Sequence, residues 1–349
     1  MKKTKIAAFT LITCITMFST ASNVMAKDFA PEDDGKIHLN LAYCVDCTDS
    51  SQQLQWDTTS QYIDYLNNTR DDLYIEATLF DANSTLDTQI ANIETAITMD
   101  ADAIILSAVD TSSIVPTVQQ AQAAGIKVLD WRGSAGDLNY VGANEDSWGQ
   151  LNYEWTKQYL EDHPDEVLYA GLQYGGSAMP AQFKRLDPLK ELAEEYPDRF
   201  IILADQYCDW TTDTAMKMAE DWIQAYPDMN YICSASGTMM SGVVEALRGA
   251  NKLDDMVLCT FNGLEEDFNM LRKGDIATSV GAYYPVKMGL LVEDTIEMLL
   301  EDKSGTDDVG ELTTFIATQD TVEDCAAKSV ADYENVQAFE STLKDSYVK

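Results

Sequence analysis

The feature that most constrains the fold is a regular alternation of short apolar runs with amphipathic segments. Residues 37–43, 73–80 and 103–106 are strand-like runs, and between such runs apolar residues recur every three or four positions, as on one face of a helix. Strands that alternate with helices form parallel sheets covered by helices on both faces. About ten strands are predicted in this way, more than one ordinary sheet needs. The sequence therefore predicts an α/β fold with two similar lobes.

Two predicted helices lie close to strand ends. The first runs from Asp57, a suitable N-cap residue, to Asn68, and the second covers residues 181–195. The last predicted helical face ends at Leu299, and an acidic tail follows Gln319.

The charge of the chain excludes several classes of partner. The chain carries 59 acidic and 23 basic side chains, a formal charge of −36. A surface this negative repels the phosphates of nucleic acids and anionic lipid headgroups, so we expect neither as a partner. Its two histidines, His38 and His163, do not form an HExxH pair, and no second close Cys or His pair supports a zinc site. We expect no metal ion and no cofactor.

The N-terminus is predicted to be a secretory signal peptide comprising residues 1–26. A basic start with three lysines precedes an apolar stretch, residues 6–18, and Ala26 ends a Val-Met-Ala cleavage pattern. The apolar stretch is shorter than the roughly 20 residues that a transmembrane helix needs. A lipid anchor at Cys14 ranks second, because Thr13 is a poor residue before a lipidated cysteine. We expect an exported, periplasmic protein.

Six cysteines follow this leader, and two of them, Cys44 and Cys47, form a CxxC motif. In redox proteins this motif usually opens a helix, which lowers the pKa of the first thiol. Here it follows a strand and lies in a loop rich in Thr, Asp and Ser. The pattern favours a structural bridge or free thiols over redox chemistry, although an even number of cysteines permits disulfides in an oxidising compartment. Cys233 and Cys259 end predicted buried strands and are expected in the core.

Ligands of open parallel sheets bind beyond the carboxyl ends of the strands. Those positions hold aromatic, amide and hydroxyl side chains with a few charges, and no nucleophile accompanied by a histidine and a carboxylate. Aromatic faces pack on C–H surfaces and fixed polar groups bind hydroxyls, so this chemistry indicates recognition of a small molecule and no catalytic residue. The strand-end positions are 43–46, 81, 107–110, 131–132, 173–174, 210, 234–236, 262 and 283.

Four segments stand in an order typical of one family. They are residues 123–132 (AAGIKVLDWR), 140–144 (YVGAN), 226–228 (YPD) and 261–263 (FNG). Over about residues 37–317 the chain resembles the type I periplasmic binding proteins of the ribose- and galactose-binding class, which serve sugar importers. The resemblance implies two Rossmann-like lobes joined by three crossing segments, with the ligand held in the cleft at this hinge.

The resemblance also implies where the chain divides. We expect lobe I and lobe II each to be built from two separate stretches, because the chain crosses between them three times. The expected boundaries are a signal peptide at 1–26, a polar leader at 27–35, lobe I at 36–143 plus 284–314, and lobe II with the C-terminal tail at 144–283 plus 315–349.

The resemblance assigns ligand contacts to residues that follow the strands. Trp210 stands where the family has an aromatic residue that stacks on the sugar, and Asn262 matches the aspartate or asparagine of a Phe-Asp-Gly type motif. The full set expected to bind the ligand is Tyr43, Asp46, Trp131, Arg132, Trp210, Ser236, Asn262 and Tyr283.

Two positions depart from the family pattern. Arg132 stands where an acidic or amide residue is usual, which motivates the hypothesis that the ligand carries a carboxylate or similar anion. A contact arginine common in the second lobe has no counterpart, since Gln182 or Phe183 falls near its place. Arg185 is interpreted as a packing residue.

The sequence thus predicts an exported solute-binding protein without enzymatic activity. It captures a small polyhydroxylated ligand, a sugar or sugar derivative, by lobe closure and delivers it to the permease of an ABC importer. One alternative is a sensor that presents the closed form to a chemoreceptor or sensor kinase. Another is an exported enzyme that uses Cys44 and Cys47.

Overall fold

The computed structural model describes residue 27 and residues 29–130, 139–140, 145–176, 181–301 and 314–329. Within these ranges strands and helices alternate. The strands are β1 (Ile37–Val45), β2 (Leu73–Asp81), β3 (Ala103–Leu106), β4 (Lys127–Asp130), β5 (Asn139–Tyr140), β6 (Leu168–Tyr174), β7 (Phe200–Tyr207), β8 (Tyr231–Ser234), β9 (Val257–Asn262), β10 (Thr278–Ala282) and β11 (Thr314–Ala317). The helices are α1 (Ser50–Thr69), α2 (Leu86–Thr98), α3 (Val115–Ala123), α4 (Glu145–Asp162), α5 (Ala181–Leu186), α6 (Pro188–Glu195), α7 (Thr212–Ala225), α8 (Gly237–Gly249), α9 (Glu265–Lys273), α10 (Tyr284–Leu300) and α11 (Val322–Lys328).

Two sheets share the same strand pattern. The first sheet has the order β2-β1-β3-β4-β5, and its neighbouring strands are parallel. The second sheet has the order β11-β10-β9-β8-β6-β7, in which β7-β6-β8-β9-β10 repeats the order of the first. Its pairs are parallel apart from β11, which runs antiparallel to β10. The α/β fold with two Rossmann-like lobes is confirmed. Lobe I contains the first sheet and lobe II the second; the residue boundaries given above stay a prediction.

Helix α10 belongs to both lobes. It follows β10 of the second sheet, and its first residue, Tyr284, packs in the hydrophobic core of lobe II. From Val286 onward its apolar side chains pack in the core of lobe I, which also contains Tyr62 and Leu66 of α1. The chain therefore passes from one lobe to the other at the start of α10, as the resemblance implied for one of its three crossings.

The predicted start of the first helix is wrong. Helix α1 begins at Ser50 rather than near Asp57, and the Asp49 side chain caps it by accepting a hydrogen bond of 2.8 Å from the Gln52 backbone N–H. The first turns of α1 bury polar side chains, among them Gln52 and Gln55. A helix face made of glutamine, serine and threonine has no apolar periodicity, so the pattern was not visible in the sequence.

Other differences lie near α5 and at the C-terminal end. The helix predicted over residues 181–195 is divided into α5 and α6, because Pro188 has no backbone N–H to continue the first helix and stands in the first turn of the second. Strand β11 and helix α11 were not predicted at all. Residues 1–26 lie outside the described ranges, and among the helices described none is long and apolar enough to cross a membrane.

Helices α7 and α8 pack closely at Gly242, which yields a test of the packing. A Cβ atom at Gly242 would lie 2.2 Å from the Thr212 carbonyl oxygen, whereas a Cβ at Gly249, in the same helix, meets nothing within 4 Å. We expect Gly242→Ala to lower the free energy of unfolding by about 1–3 kcal/mol, because the backbones must separate. Urea unfolding measures this. Gly249→Ala is the control and should not be destabilising; equal effects of the two variants would contradict the close approach.

Candidate functional site

Each sheet has a point where the strand order reverses, and both points are lined with buried polar groups. In the first sheet β1 lies between β2 and β3, and in the second β6 lies between β7 and β8. Ligands of doubly wound sheets bind in the crevice at the carboxyl ends of the strands at such a reversal. The candidate site therefore consists of the residues that follow β1 and β3 in lobe I and those that follow β6, β7, β8 and β9 in lobe II.

Asp46 directly follows β1 and organises the polar cluster of lobe I. Its carboxylate accepts hydrogen bonds from Gln52 Nε2 at 2.5 Å and from the Ser107 hydroxyl, just after β3, at 2.7 Å. All three side chains are buried. A carboxylate only accepts, so Gln52 must turn its amide nitrogen toward Asp46. Its carbonyl oxygen Oε1 is then left buried, with no donor among the described residues.

Gln182 of α5 has the same arrangement in lobe II. Its Nε2 donates to the backbone carbonyl of Gly176, which follows β6. The carbonyl acceptor fixes the orientation of the amide, as Asp46 does for Gln52. Gln182 Oε1 is buried, and no group in the described part of the chain donates to it. Buried amide oxygens are normally hydrogen-bonded. Gln55 Oε1 and Asn152 Oδ1 are also buried without a donor among the described residues. Gln52 and Gln182 differ from these two because their amide nitrogens donate to residues that follow β1 and β6.

Trp210 follows β7 and covers the glycines after β6. A Cβ atom at Gly175 would lie 2.0 Å from the indole Cε2, so only glycine allows the ring to lie there, and a Cβ atom at Gly176 would lie 3.3 Å from the indole Nε1. Trp210 has a φ of 61°, in the left-handed region, and its side chain is half-buried. The indole thus stands at the carboxyl edge of lobe II beside the loop that carries Gly176, where a stacking residue was expected.

Arg185 of α5 reaches the carboxyl ends of β8 and β9. Its guanidinium lies 4.6 Å from the ring centre of Trp148, and only 4% of the residue is exposed. Its Nη1 donates to the Ala235 carbonyl at 2.7 Å and to Asn262 Oδ1 at 3.1 Å. The interpretation of Arg185 as a packing residue was therefore incomplete, because this side chain binds a candidate ligand contact directly.

A tight turn after β9 presents Asn262. Asn262 has a φ of 111° and Gly263 a φ of 65°, so both lie in the region that L-residues with large side chains avoid. Asp267 holds this turn: one of its carboxylate oxygens accepts from the Gly263 N–H at 2.8 Å and from the Ser279 hydroxyl at 2.9 Å. Burial raises the pKa of Asp267 to about 7.

The other candidates have structural partners. Ser236 is the N-cap of α8, and its hydroxyl accepts a hydrogen bond from the Met239 N–H. Tyr283 precedes α10 and packs 4.7 Å from Phe315, ring centre to ring centre, and burial raises its pKa. Tyr43 is 1% exposed in the core of lobe I. Its ring lies 5.4 Å from that of Trp56, ring centre to ring centre, so the contact of Tyr43 with a ligand stays a prediction.

Trp131 and Arg132 lie outside the described residues, so the hypothesis of an anionic ligand held by Arg132 stays a prediction. Within the described ranges no group of His, Cys, Asp or Glu side chains is arranged to hold a metal ion. The amides, the indole and the guanidinium described above can donate, accept and stack, which is the chemistry of recognition.

Sequence reasoning missed part of this arrangement. Gln52 lies in a polar segment that was interpreted as a loop, and Asp267 has no signal other than its place three residues into a helix. Ser107 is one of the strand-end positions but is not among the residues expected to bind the ligand. Gln182 and Arg185 lie on α5, beyond the loop that follows β6, and nothing local to Arg185 indicates its bond to Asn262, 77 residues away.

The six described cysteines are free thiols. Cys44 and Cys47 form no bridge, because Cys44 is within β1 and buried, whereas Cys47 is in the loop beyond it. Burial raises the pKa of the Cys44 thiol to about 12, which is the opposite of what a redox nucleophile needs. The five cysteines other than Cys47 are buried.

We expect Cys47 to react first when the native protein is treated with a maleimide, because the thiolate of a buried cysteine is disfavoured and inaccessible. Mass spectrometry would identify the labelled residue in a protein that starts at Lys27. Cys47→Ser should remove the fast phase. Rapid labelling of Cys44 would contradict the burial of β1.

The pKa of Asp267 yields a test by pH. In the unfolded chain its carboxyl titrates near 3.8, whereas the folded protein keeps the proton to about pH 7. The folded state therefore binds more protons between these values, and the contribution of Asp267 to stability falls as the pH rises through this window. We expect the stability of Asp267→Asn relative to the native protein to increase from pH 5 to pH 8. A difference independent of pH would show that Asp267 is ionised throughout.

A family model described as the periplasmic binding protein domain matches residues 56–303, most of the chain. The chain belongs to the periplasmic binding proteins. The resemblance to periplasmic binding proteins that the sequence indicated is confirmed. Membership in this family accounts for the two sheets, which have the same order of parallel strands and carry polar groups at their carboxyl edges.

Relatives and solved structures agree with this membership. The chain is 25% identical over 228 residues to the xylitol-binding protein of Mycolicibacterium smegmatis. The matched region is 64% of this chain and 64% of that relative, so the chain spans just under two thirds of the relative's length. The chain is 20% identical over 227 residues to the ribose import binding protein RbsB of Bacillus subtilis, covering 64% of this chain and 72% of RbsB. An ABC transporter solute binding protein from Bacillus halodurans with bound myo-inositol has a TM-score of 0.73 at 20% identity, covering 85% of this chain and 99% of that chain.

Proposed function

We propose that this periplasmic binding protein captures a small polyhydroxylated ligand, a sugar or a polyol, between its lobes and delivers it to an ABC importer. The observation that carries the proposal is that each lobe has a buried amide oxygen without a donor beside the residues that follow β1 or β6. These atoms are Gln52 Oε1 in lobe I and Gln182 Oε1 in lobe II. Each needs a donor, and a ligand with several hydroxyl groups supplies one to each lobe at the same time.

A ligand that bonds to both lobes stabilises the closed form, because it makes both sets of contacts only there. Trp210 supplies an aromatic face for the C–H surface of such a ligand. Of the residues expected to bind it, we place Asp46, Trp210, Asn262 and Tyr283 nearest to the ligand, Asp46 acting by orienting Gln52. One relative is named a xylitol-binding protein and another a ribose import binding protein, and these names support a polyol or a sugar as the ligand.

The same proposal includes export of the protein, delivery of the ligand to a permease, and the absence of a catalysed reaction. A signal peptide cleaved near Ala26 would leave a chain that begins at Lys27. The permease of the importer would recognise the closed form, and no bond of the ligand would be broken. The relatives named above are described as binding and import proteins, which favours import over a sensory role; gene neighbours encoding a permease and an ATPase would support it further.

Calorimetry and thermal unfolding test the ligand class directly. We expect xylitol, D-ribose, myo-inositol or another neutral pentose, hexose or polyol to bind the chain from Lys27 onward. At a concentration 100 times Kd, the ligand should add about 2.7 kcal/mol to the free energy of unfolding. X-ray scattering should show a smaller radius of gyration with the ligand. D-Galacturonate, tested in parallel, examines the anionic hypothesis. Binding by none of the compounds, or turnover of any of them, would falsify the proposal.

Substitution of the two glutamines tests the observation itself. We expect Gln52→Met and Gln182→Met each to weaken ligand binding by about 1–3 kcal/mol, since methionine keeps the size but accepts poorly. Calorimetry with the tightest-binding compound measures this. Gln224→Met is the control, because Gln224 is exposed on α7. If either glutamine variant binds the ligand with full affinity, that glutamine does not contact the ligand.

A further inference from the structure

We propose that Arg185 is a positioning residue that makes Asn262 a hydrogen-bond donor toward the ligand. The inference rests on the proposed function and makes it more specific: the ligand must place an acceptor oxygen at the end of β9. It follows from three features of the described residues, which are the fixed position of Arg185, the chemistry of its guanidinium, and the half-buried position of Asn262.

The position of Arg185 is fixed on several sides. Its guanidinium lies 4.6 Å from the ring centre of Trp148 and 5.8 Å from that of Phe261, and these two rings are parallel to within 1°. The Ala235 carbonyl accepts a hydrogen bond of 2.7 Å from Nη1. A planar cation held against aromatic faces has little freedom to rotate, so the second hydrogen of Nη1 has a defined direction.

The guanidinium determines which end of the Asn262 amide faces it. Arginine has five N–H donors and no acceptor, so the amide must turn its oxygen toward Arg185, and the 3.1 Å contact joins Nη1 to Asn262 Oδ1. The amide nitrogen Nδ2 is on the other branch of the side chain. It donates to no described residue, and Asn262 is half-buried at the carboxyl end of β9, so Nδ2 is available to a ligand.

The backbone makes this orientation persistent. The turn at Asn262 and Gly263 is held by Asp267, and a Cβ atom at Gly281 of the neighbouring strand would lie 2.6 Å from the Asn262 carbonyl oxygen. The side chain therefore starts from a fixed backbone, and Arg185 fixes its last torsion. Lobe II thus offers the ligand one acceptor, Gln182 Oε1, and one donor, Asn262 Nδ2.

The first test exchanges donor for acceptor at constant shape. Asn262→Asp keeps an oxygen for Arg185 and replaces Nδ2 by a second oxygen. We expect it to lower the affinity for the tightest-binding neutral polyol or sugar about tenfold or more, while thermal stability is kept because the new carboxylate pairs with Arg185. Unchanged affinity would overturn the proposal, since it would mean that Asn262 acts through an oxygen.

A double-mutant cycle tests whether Arg185 acts through Asn262. Arg185→Met and Asn262→Ala should each weaken binding about tenfold, but Arg185→Met should cause no further loss in the Asn262→Ala protein. Independent roles would instead give multiplied losses, and that result would contradict a positioning role. Lys217→Met is the charge-matched control, because Lys217 is exposed on α7.

A ligand-free measurement separates this inference from the proposed function. With asparagine labelled by ¹⁵N, the Nδ2 signals of Asn262 are identified by their loss in Asn262→Asp. We expect these signals to shift in Arg185→Met and to stay in place in Lys217→Met. If no compound binds but the signals shift, the proposed function fails and the positioning by Arg185 stands. If the signals do not shift, the positioning fails whatever binds. Should Arg185→Met not fold, the Asn262→Asp affinity decides.

Discussion

Buried polar groups need hydrogen-bond partners, and at the carboxyl ends of parallel strands many of them meet in a small space. In lobe I the side chains of Gln52 and Ser107 donate to Asp46, and in lobe II Arg185 donates to the oxygens of Ala235 and Asn262. Leaving such a group unpaired costs about 1–3 kcal/mol, so nearly every orientation in these clusters is forced. The atoms that stay unpaired are therefore informative.

The forced orientations give the crevice a polarity that could not be known from residue types alone. An amide side chain donates or accepts according to which end faces outward, and the neighbour decides this. The Asp46 carboxylate leaves the oxygen of Gln52 without a donor, and the Gly176 carbonyl does the same for Gln182. The Arg185 guanidinium takes the oxygen of Asn262 and leaves its nitrogen without an acceptor among the described residues. A ligand of hydroxyl groups matches this mixture, because each hydroxyl donates and accepts.

Helix α10 connects the candidate site to the place where the chain passes between the lobes. Helix α10 begins in the core of lobe II at Tyr284 and continues in the core of lobe I, so the chain passes from one lobe to the other next to Tyr283. Tyr283 packs on Phe315 of β11, the antiparallel edge strand of the second sheet. A tyrosine at this place contacts the region where a hinge would bend and lies at the end of β10, beside the crevice.

Most of the fold was determined by the sequence itself, because the alternation of strands and helices is a local pattern that each segment carries independently. Residues 103–106 and 37–43 were predicted as strands for this reason. The relation to periplasmic binding proteins was indicated by the order of four short segments along the chain. The start of α1 was missed because its buried face is polar, and because Gln52 on that face bonds to Asp46 and to Ser107, which is 55 residues away. Arg185 was assigned to packing because nothing local connects it to Asn262, 77 residues away. Only the tertiary structure decided these roles, since the direction of a buried amide depends on partners that are distant in sequence.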